Sequence, residues 1–166
     1  MTQSEGFSPI ARHDARVLIL GSLPGLVSIA EQRYYAHPRN AFWPIMDALF
    51  GISGSYETRA VQITENSIAL WDVLFGSVRP GSLDADIQND TALANDFEAF
   101  LKHHSQVEKI VFNGKKAEQL FLKLVPAEIR TKQRLLGLPS TSPAYAAMPY
   151  AKKLQKWQAA LLPILK

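Results

Sequence analysis

The side chains of this sequence that could do chemistry collect in five short segments. Residues 34–43 read YYAHPRNAFW and place four aromatic rings around a His-Pro pair and an Arg-Asn pair. Aromatic rings beside a polar side chain form a platform on which a flat heterocyclic base can stack. The other four segments are polar and directly follow apolar runs, and they are residues 21–25 (GSLPG), Asp72, residues 113–116 (NGKK) and residues 139–144 (PSTSPA).

Each segment also has a purely structural interpretation. Asn40 directly precedes the apolar run that starts at Ala41, and asparagine is among the best residues for capping a helix. GSLPG is either a glycine turn that brings backbone N–H groups close to a polar ligand or a plain strand-to-helix turn. NGKK puts two lysines in the first turn of a helix, which indicates either a bound phosphate or a solvated helix start. PSTSPA is either a rigid hydroxyl-rich binding loop or a polar connector.

Several classes of site are excluded. The chain has no cysteine, which excludes disulfides and thiolate metal sites. None of the four histidines has metal-ligand spacing with another histidine or a carboxylate, so we expect no metal site. GSLPG lacks the spacing of a dinucleotide fingerprint or a P-loop, and no GxSxG segment indicates a Ser-His-Asp hydrolase.

Short apolar runs and longer amphipathic segments alternate along the chain. The runs suit strands buried on both faces, and the alternation predicts a parallel four-stranded sheet with helices on both faces. Ligands bind beyond the carboxyl ends of such strands, so the polar segments that follow them are expected to meet at one edge. The predicted strands are residues 16–20, 67–71, 108–112 and 134–138, and the predicted helices are residues 41–50, 56–65, 93–104, 114–125 and 149–162.

The last predicted helix carries a basic stripe and an apolar stripe. We expect the basic stripe to be a solvated face and the apolar stripe to face the core. The basic stripe is Lys152, Lys153 and Lys156, and the apolar stripe is Tyr150, Leu154, Trp157 and Leu161.

The bulk properties are those of an ordinary globular protein, with a hydrophobic fraction of 47% and a charged fraction of 20%. The 166 residues are expected to form a single domain, residues 1–166. A formal charge of +3 and a pI near 9.2 permit a polyanionic partner without requiring one. No signal peptide pattern and no apolar stretch of roughly 18 residues is present, so we expect a cytoplasmic location and no membrane partner.

Taken in order, GSLPG, YYAHPRNAFW, ALWDVL, FNGKKA and LPSTSPA resemble the motifs of the uracil-DNA glycosylase superfamily, over residues 16–160. AHPRNAFW is most similar to the loop of the mismatch-specific uracil-DNA glycosylases, and the whole set to the hypoxanthine-DNA (deoxyinosine) glycosylase branch. The resemblance implies a three-layer α/β/α fold and an enzyme that flips a damaged base out of the duplex and cleaves its N-glycosidic bond without metal or cofactor. Double-stranded DNA containing deaminated bases is the implied partner, and we expect a monomer.

The resemblance also implies roles for single residues. Tyr35 lies at the position of the aromatic side chain that stacks on the flipped base, a contact that contributes about 1 to 3 kcal/mol. Asp72 lies where relatives read the base edge, and a carboxylate that only accepts hydrogen bonds suits N1–H of hypoxanthine or N3–H of uracil. The implied base-binding residues are Ser22, Leu23, Tyr35 and Asp72. The residues expected to contact DNA are Lys115, Lys116, Pro139, Ser140, Thr141, Ser142 and Lys152, with the loop of residues 139–144 entering the minor groove.

Two positions depart from the family pattern. Leu23 stands where many relatives carry an Asp or Asn that orients the attacking water, and Leu138 stands where many carry a His or Asn that supports charge on the departing base. In the hypoxanthine branch the asparagine of the HPRN loop is credited with catalysis, and here that residue is Asn40. We therefore expect Asn40 to position water or to contact the leaving base. His37 is a weaker candidate, expected to act by orienting its neighbours without touching the base.

The sequence thus predicts a monofunctional DNA glycosylase of base excision repair that removes hypoxanthine first, with uracil and xanthine as further substrates. No lysine nucleophile is identifiable, so we expect an abasic product without strand cleavage. Two alternatives stay open. One is a glycosylase-like module that binds DNA lesions or nucleotides and lost catalysis with Leu23 and Leu138, and the other is an unrelated small-molecule hydrolase that uses the same sheet edge.

Overall fold

The computed structural model describes residues 3–78 and 93–165, and these residues form two β-sheets and six α-helices. The strands are β1 (Gln3–Glu5), β2 (Val17–Gly21), β3 (Ile68–Asp72), β4 (Leu74–Val78), β5 (Leu93–Ala94), β6 (Lys109–Asn113) and β7 (Arg134–Leu138). The helices are α1 (Leu26–Glu31), α2 (Phe42–Phe50), α3 (Tyr56–Glu65), α4 (Phe97–His103), α5 (Lys115–Leu124) and α6 (Tyr150–Leu165), and a 3-10 turn covers Ala127–Arg130.

The larger sheet has four parallel strands in the order β3-β2-β6-β7, which confirms the predicted sheet. Alternate residues of the central strand β2 face opposite layers. Val17 and Ile19 pack in one apolar cluster, and Leu18 and Leu20 pack in the other. Burial on both faces explains why the strands read as continuous apolar runs.

Helices cover both faces of this sheet, so the predicted three-layer α/β/α architecture is confirmed. Residues of α2, α3 and α6 share one cluster, in which Phe42 and Trp157 are among the largest fully buried side chains. Residues of α4 and α5 share the other cluster, in which Phe97 packs edge-on against Phe121 at 5.2 Å between ring centroids. Among the described helices, none is long and apolar enough to cross a membrane.

The smaller sheet was not predicted. It is antiparallel, with β4 between β1 and β5, and its pairing is irregular between Leu74 and Gly76. The prediction of a helix over residues 93–104 is correct only for its second half, because Leu93 and Ala94 pair with β4. Helix α4 begins after Asp96, whose side chain accepts a hydrogen bond from the Ala99 N–H at 3.1 Å.

Helix α6 differs from the prediction at two positions. Tyr150, assigned to the core stripe, is instead exposed at the first turn of the helix, whereas Trp157 and Leu161 are buried as predicted. Lys153, assigned to the solvated stripe, is instead only 5% exposed. Lys153 precedes Trp157 by four residues, so it lies on the same helix face as the core residues.

Candidate active site

The carboxyl ends of β2 and β3 bring together two of the predicted base-binding residues, Tyr35 and Asp72. Gly21 pairs in register with Asp72, which is 3% exposed. A Cβ added at Gly21 would lie 2.7 Å from Asp72 Oδ1 and 3.4 Å from the Tyr35 hydroxyl oxygen. Glycine at this position therefore leaves room for a carboxylate and a phenol to face one small space at the end of the sheet.

The GSLPG segment continues the strand pairing beyond the end of β2. The Leu74 N–H donates to the Ser22 carbonyl at 3.1 Å, and the Val73 N–H donates to the Gly21 carbonyl at 2.8 Å. Ser22 is buried, and Leu23 packs in the apolar cluster on the α4–α5 face. The Leu23 side chain thus lines the interior and has no polar group with which to hold a water molecule.

Tyr35 is held in a costly backbone conformation. Its φ angle is 55°, in the left-handed region that residues with a Cβ seldom adopt. The ring stacks on Phe42 at 4.1 Å between centroids, with 25° between the planes. The Ser28 hydroxyl accepts a hydrogen bond of 3.0 Å from the Ala36 N–H. The fold therefore imposes this conformation from both sides of the residue, as is common at functional positions.

Tyr34 anchors the start of the same loop through three hydrogen-bonding groups. Its N–H donates to the Tyr56 hydroxyl at 3.0 Å, its carbonyl accepts from Trp43 Nε1 at 2.9 Å, and its hydroxyl donates to the Ser8 carbonyl at 2.9 Å. Burial raises the pKa of the Tyr34 phenol, and the negative charge of Asp72 raises it further. Tyr34 therefore remains a neutral donor that fixes the loop, and the aromatic side chain left at the site is Tyr35.

Asn40 is engaged through its side-chain oxygen. Oδ1 accepts a hydrogen bond of 2.9 Å from the N–H of Phe42, the first residue of α2. Among the described residues, no acceptor receives a hydrogen bond from Asn40 Nδ2. Asn40 lies one residue before the N-cap, which is Ala41, so it forms an Asx turn and not the helix cap that its position had suggested. The amide nitrogen is still able to donate to a ligand.

His37 supports the bend that presents Asn40. The His37 carbonyl accepts from the Asn40 N–H at 2.9 Å, and Nδ1 accepts from the Arg39 N–H at 3.1 Å. An accepting Nδ1 assigns the ring proton to Nε2. His37 therefore shapes the turn of the loop through its own backbone and ring.

The loop of residues 139–144 is tied to the sheet through Asn113, the first residue of NGKK, to which the sequence assigned no role. Asn113 Nδ2 donates to Thr141 Oγ1 at 2.9 Å, and the Thr141 N–H donates back to Asn113 Oδ1 at 2.9 Å. Thr141 is 1% exposed, so its side chain supports the loop from within. Its carbonyl accepts from the Ala41 N–H at 2.9 Å, which joins this loop to the start of α2.

Lys153 and Trp157 fasten the same loop to helix α6. Trp157 Nε1 donates to the Pro139 carbonyl at 3.0 Å, and Lys153 Nζ donates to the Ser142 carbonyl at 3.4 Å. The Lys153 ammonium also lies 5.3 Å from the centroid of the Tyr145 ring. Burial lowers the pKa of Lys153. The spacing of four residues from Trp157 indicates that Lys153 lies on the buried face of α6. The charge of a lysine, by contrast, predicts exposure.

The remaining predicted DNA contacts lie on the outer surface. Lys115 and Lys152 are exposed, Lys116 is half-buried at the start of α5, and Ser140 and Ser142 are half-buried on the loop. No group of three or more metal-ligating side chains occurs in the ranges that the structure describes. The site thus combines a buried acceptor, an aromatic ring and an amide donor, which suits recognition of a planar heterocycle bearing an N–H group.

Known proteins are similar to this chain. A family model described as the uracil DNA glycosylase superfamily matches residues 8–166. A protein named hypoxanthine DNA glycosylase from Methanosarcina barkeri (strain Fusaro / DSM 804) is 36% identical over 118 residues, which cover 69% of this chain and 73% of the relative. A protein of the same name from Methanosarcina acetivorans is 36% identical over 115 residues, covering 68% and 72% of the two chains.

The fold is also similar to a solved structure. The solution NMR structure of a candidate uracil DNA glycosylase from Methanosarcina acetivorans superposes with a TM-score of 0.78 and 30% identity, covering 96% of each chain. The family model spans nearly the whole sequence, and the relatives share more than a third of the aligned residues. The chain belongs to the uracil DNA glycosylase superfamily.

Proposed function

We propose that this DNA glycosylase removes hypoxanthine from double-stranded DNA, with uracil and xanthine as further substrates, and leaves an abasic site. The observation that carries the proposal is the buried Asp72 carboxylate beside Gly21 and the Tyr35 hydroxyl. The relatives named hypoxanthine DNA glycosylase support the same assignment.

Asp72 would read the lactam edge of the base. An ionised carboxylate accepts hydrogen bonds and cannot donate them, so it pairs with N1–H of hypoxanthine or N3–H of uracil. The N1 atom of adenine is itself an acceptor, and facing the carboxylate would leave two buried acceptors opposed. A buried polar group without a partner costs about 1 to 3 kcal/mol, which is enough to reject the unmodified base.

Guanine shares the lactam edge and adds an amino group at C2. That amino group is a second donor that a carboxylate also accepts, so Asp72 does not by itself reject guanine. Guanine paired with cytosine costs more to flip, because flipping is least costly for a mispaired base. The cost of flipping therefore favours hypoxanthine over guanine in a normal base pair.

Asn40 would act on the bond that breaks. As the bond between the base nitrogen and C1′ lengthens, negative charge grows on the base and the sugar becomes oxocarbenium-like. Asn40 Nδ2 can donate to the departing base or to the water whose oxygen bonds to C1′, while Oδ1 remains bonded to the Phe42 N–H. A preorganised donor of this kind is worth about 100- to 1,000-fold in rate.

Tyr35 and the loop of residues 139–144 would hold the extruded nucleotide. The Tyr35 ring, backed by Phe42, offers a face on which the base can stack. Ser140 and Ser142 are the loop residues placed to contact the DNA backbone, with Lys115, Lys116 and Lys152 on the surrounding surface. Thr141 acts through the loop rather than by direct contact, because its side chain is buried.

The experiment is an excision assay on duplexes that carry one inosine, uracil or xanthine, opposite each normal base in turn. We expect alkali-labile sites at inosine and no strand cleavage before the alkali. A duplex with a guanine·thymine mismatch is the control, because it is easily opened and carries the added amino group. Absence of alkali-labile product from all three lesions would overturn the proposal.

The alternative of an inactive lesion-binding module is less well supported, since the relatives are named as glycosylases. That alternative predicts salt-dependent binding to DNA without product at any enzyme concentration. Cleavage of free nucleosides without cleavage of duplex DNA would instead favour the small-molecule hydrolase.

A further inference from the structure

A groove of about 390 Å³ adjoins the loop of residues 34–43, and the proposed chemistry assigns no ligand to its two arginines. Its lining joins Tyr35, His37 and Asn40 to two arginines, Arg33 and Arg59. The groove therefore connects the residues proposed for stacking and catalysis with two guanidinium groups.

Arg59 lies against aromatic rings, and no carboxylate of the described residues forms an ion pair with it. Its guanidinium carbon lies 4.7 Å from the centroid of the Trp43 ring and 5.9 Å from that of Tyr56. Across the described part of the chain, Arg59 forms no ion pair, and its buried Nε has no hydrogen-bond partner. Arg59 is half-buried, and its Nε is shielded from water. Polar groups removed from water are normally paired, so an anion in the groove would supply a partner that the described residues do not.

Arg33 approaches the same aromatic ring. Its guanidinium carbon lies 5.4 Å from the Tyr56 centroid, and its contact with Glu57, at 3.7 Å between exposed groups, is weak. Burial raises the pKa of the Tyr56 phenol, while the charges of Arg33 and Arg59 act to lower it. Both guanidinium groups thus act to lower the pKa of one phenol. Among the described residues that line the groove, Glu31 is the carboxylate that offsets their positive charge.

We propose that this groove binds a phosphate of the DNA strand from which the base is flipped, with Arg59 as the main ligand and Arg33 as the second. The inference rests on the proposed function, because it takes DNA as the ligand. A planar guanidinium matches two phosphate oxygens at once, and its stacking on Trp43 fixes the plane before the phosphate arrives. The phosphate would secure the strand beside the loop that carries Tyr35 and Asn40.

The test measures binding of a duplex with a stable abasic analogue, which the enzyme cannot turn over, at several salt concentrations. Arg59→Met is expected to weaken binding about tenfold at low salt and to reduce the slope of log K against log salt by about 1. Arg134→Met is the matched control. It removes the same charge from an exposed position at the first residue of β7, outside the groove, and should leave affinity and slope unchanged.

Two further variants separate the charge from its geometry and from folding. Arg59→Lys keeps the charge and loses the planar fork, so it should weaken binding less than Arg59→Met and retain the salt slope. Arg33→Met leaves the Arg59–Trp43 stack in place, so it tests the groove even if Arg59→Met fails to fold. It should lower affinity and slope in the same direction by a smaller amount.

The outcomes distinguish this inference from the proposed function. Equal affinity and equal salt slope for the groove variants and Arg134→Met, with hypoxanthine still excised by the unaltered protein, would overturn the groove assignment alone. Binding that depends on Arg59 without any excision would overturn the proposed function and support the groove. No binding to DNA by the unaltered protein would overturn both.

Discussion

The Phe42 N–H donates to Asn40 Oδ1 at 2.9 Å, so the side chain proposed to act on the substrate also holds the start of helix α2. The sequence had left these two roles in competition. In the structure they fall on opposite ends of one amide, with the oxygen bonded to the protein and the nitrogen able to donate outward.

This division predicts that Asn40→Asp and Asn40→Ala will differ. Asn40→Asp keeps an acceptor for the Phe42 N–H and loses the amide donor, so its thermal stability should match the unaltered protein while hypoxanthine excision falls about 100-fold or more. Asn40→Ala loses both groups and should also lose about 0.5 to 2 kcal/mol of stability. Single-turnover rates and melting curves check this, and full activity of Asn40→Asp would show that the amide donor is not needed.

Asp72 offers a test of base recognition. Asp72→Leu keeps a similar volume and removes the acceptor, which leaves the lactam N–H of the base without a partner. We expect kcat/KM on inosine to fall about 10- to 100-fold, since an unmet buried hydrogen bond costs about 1 to 3 kcal/mol. Asp72→Asn retains an accepting oxygen and serves as the matched control. If Asp72→Leu and the unaltered protein have equal kcat/KM on inosine, Asp72 does not contribute to recognition of the base.

The burial of Lys153 predicts that the free energy of unfolding depends on pH. Burial lowers the pKa of Lys153 below the value of 10.5 that it has in the unfolded chain, so between those two values the unfolded state binds more protons. The free energy of unfolding contributed by this group therefore rises with pH in that window. Lys153→Met removes the buried charge, and its stability relative to the unaltered protein should be most favourable near neutral pH and decline as the pH approaches 10.5.

Urea unfolding at a series of pH values measures this difference, with about 1.4 kcal/mol expected for each unit by which the pKa is lowered. Lys156→Met, on the exposed side of the same helix, is the control and should show no such trend. A difference for Lys153→Met that stays constant with pH would contradict the assignment.

Thr141→Val tests the link between the loop and the sheet. The substitution keeps the shape and removes Oγ1, which leaves Asn113 Nδ2 buried without its acceptor. We expect a loss of about 1 to 3 kcal/mol, and a melting temperature lower by roughly 2 to 4 °C for each kcal/mol. Thr131→Val, at an exposed position after the 3-10 turn, should leave the melting temperature within error. Equal melting temperatures for the two variants would show that the bond contributes little.

The main sheet was predictable because its signals are local. Continuous apolar runs followed by glycine or polar residues marked β2, β3, β6 and β7 within one residue of their true bounds. The small sheet carries no such signal, since β1 is the polar segment QSE and β5 has two residues. Its pairing depends on contacts between distant parts of the chain, which periodicity does not encode.

The site was predictable in composition and less so in geometry. That Asn40 would meet the start of α2 followed from its position, whereas its place one residue before the N-cap did not. The left-handed backbone of Tyr35 and the reciprocal pair of Asn113 and Thr141 depend on tertiary packing. The burial of Lys153 agrees with its helical spacing from Trp157, whereas its charge alone predicts an exposed position.

The bond from the Ala41 N–H to the Thr141 carbonyl has a mechanical consequence. It couples the backbone of the loop proposed to press on the duplex to the residue beside Asn40. Any displacement of that loop must either stretch a 2.9 Å bond or carry the first turn of α2 with it. The position of the amide proposed for catalysis thus depends on how deeply the protein is seated on the double helix, so the same movement that engages the duplex also sets the alignment of Asn40.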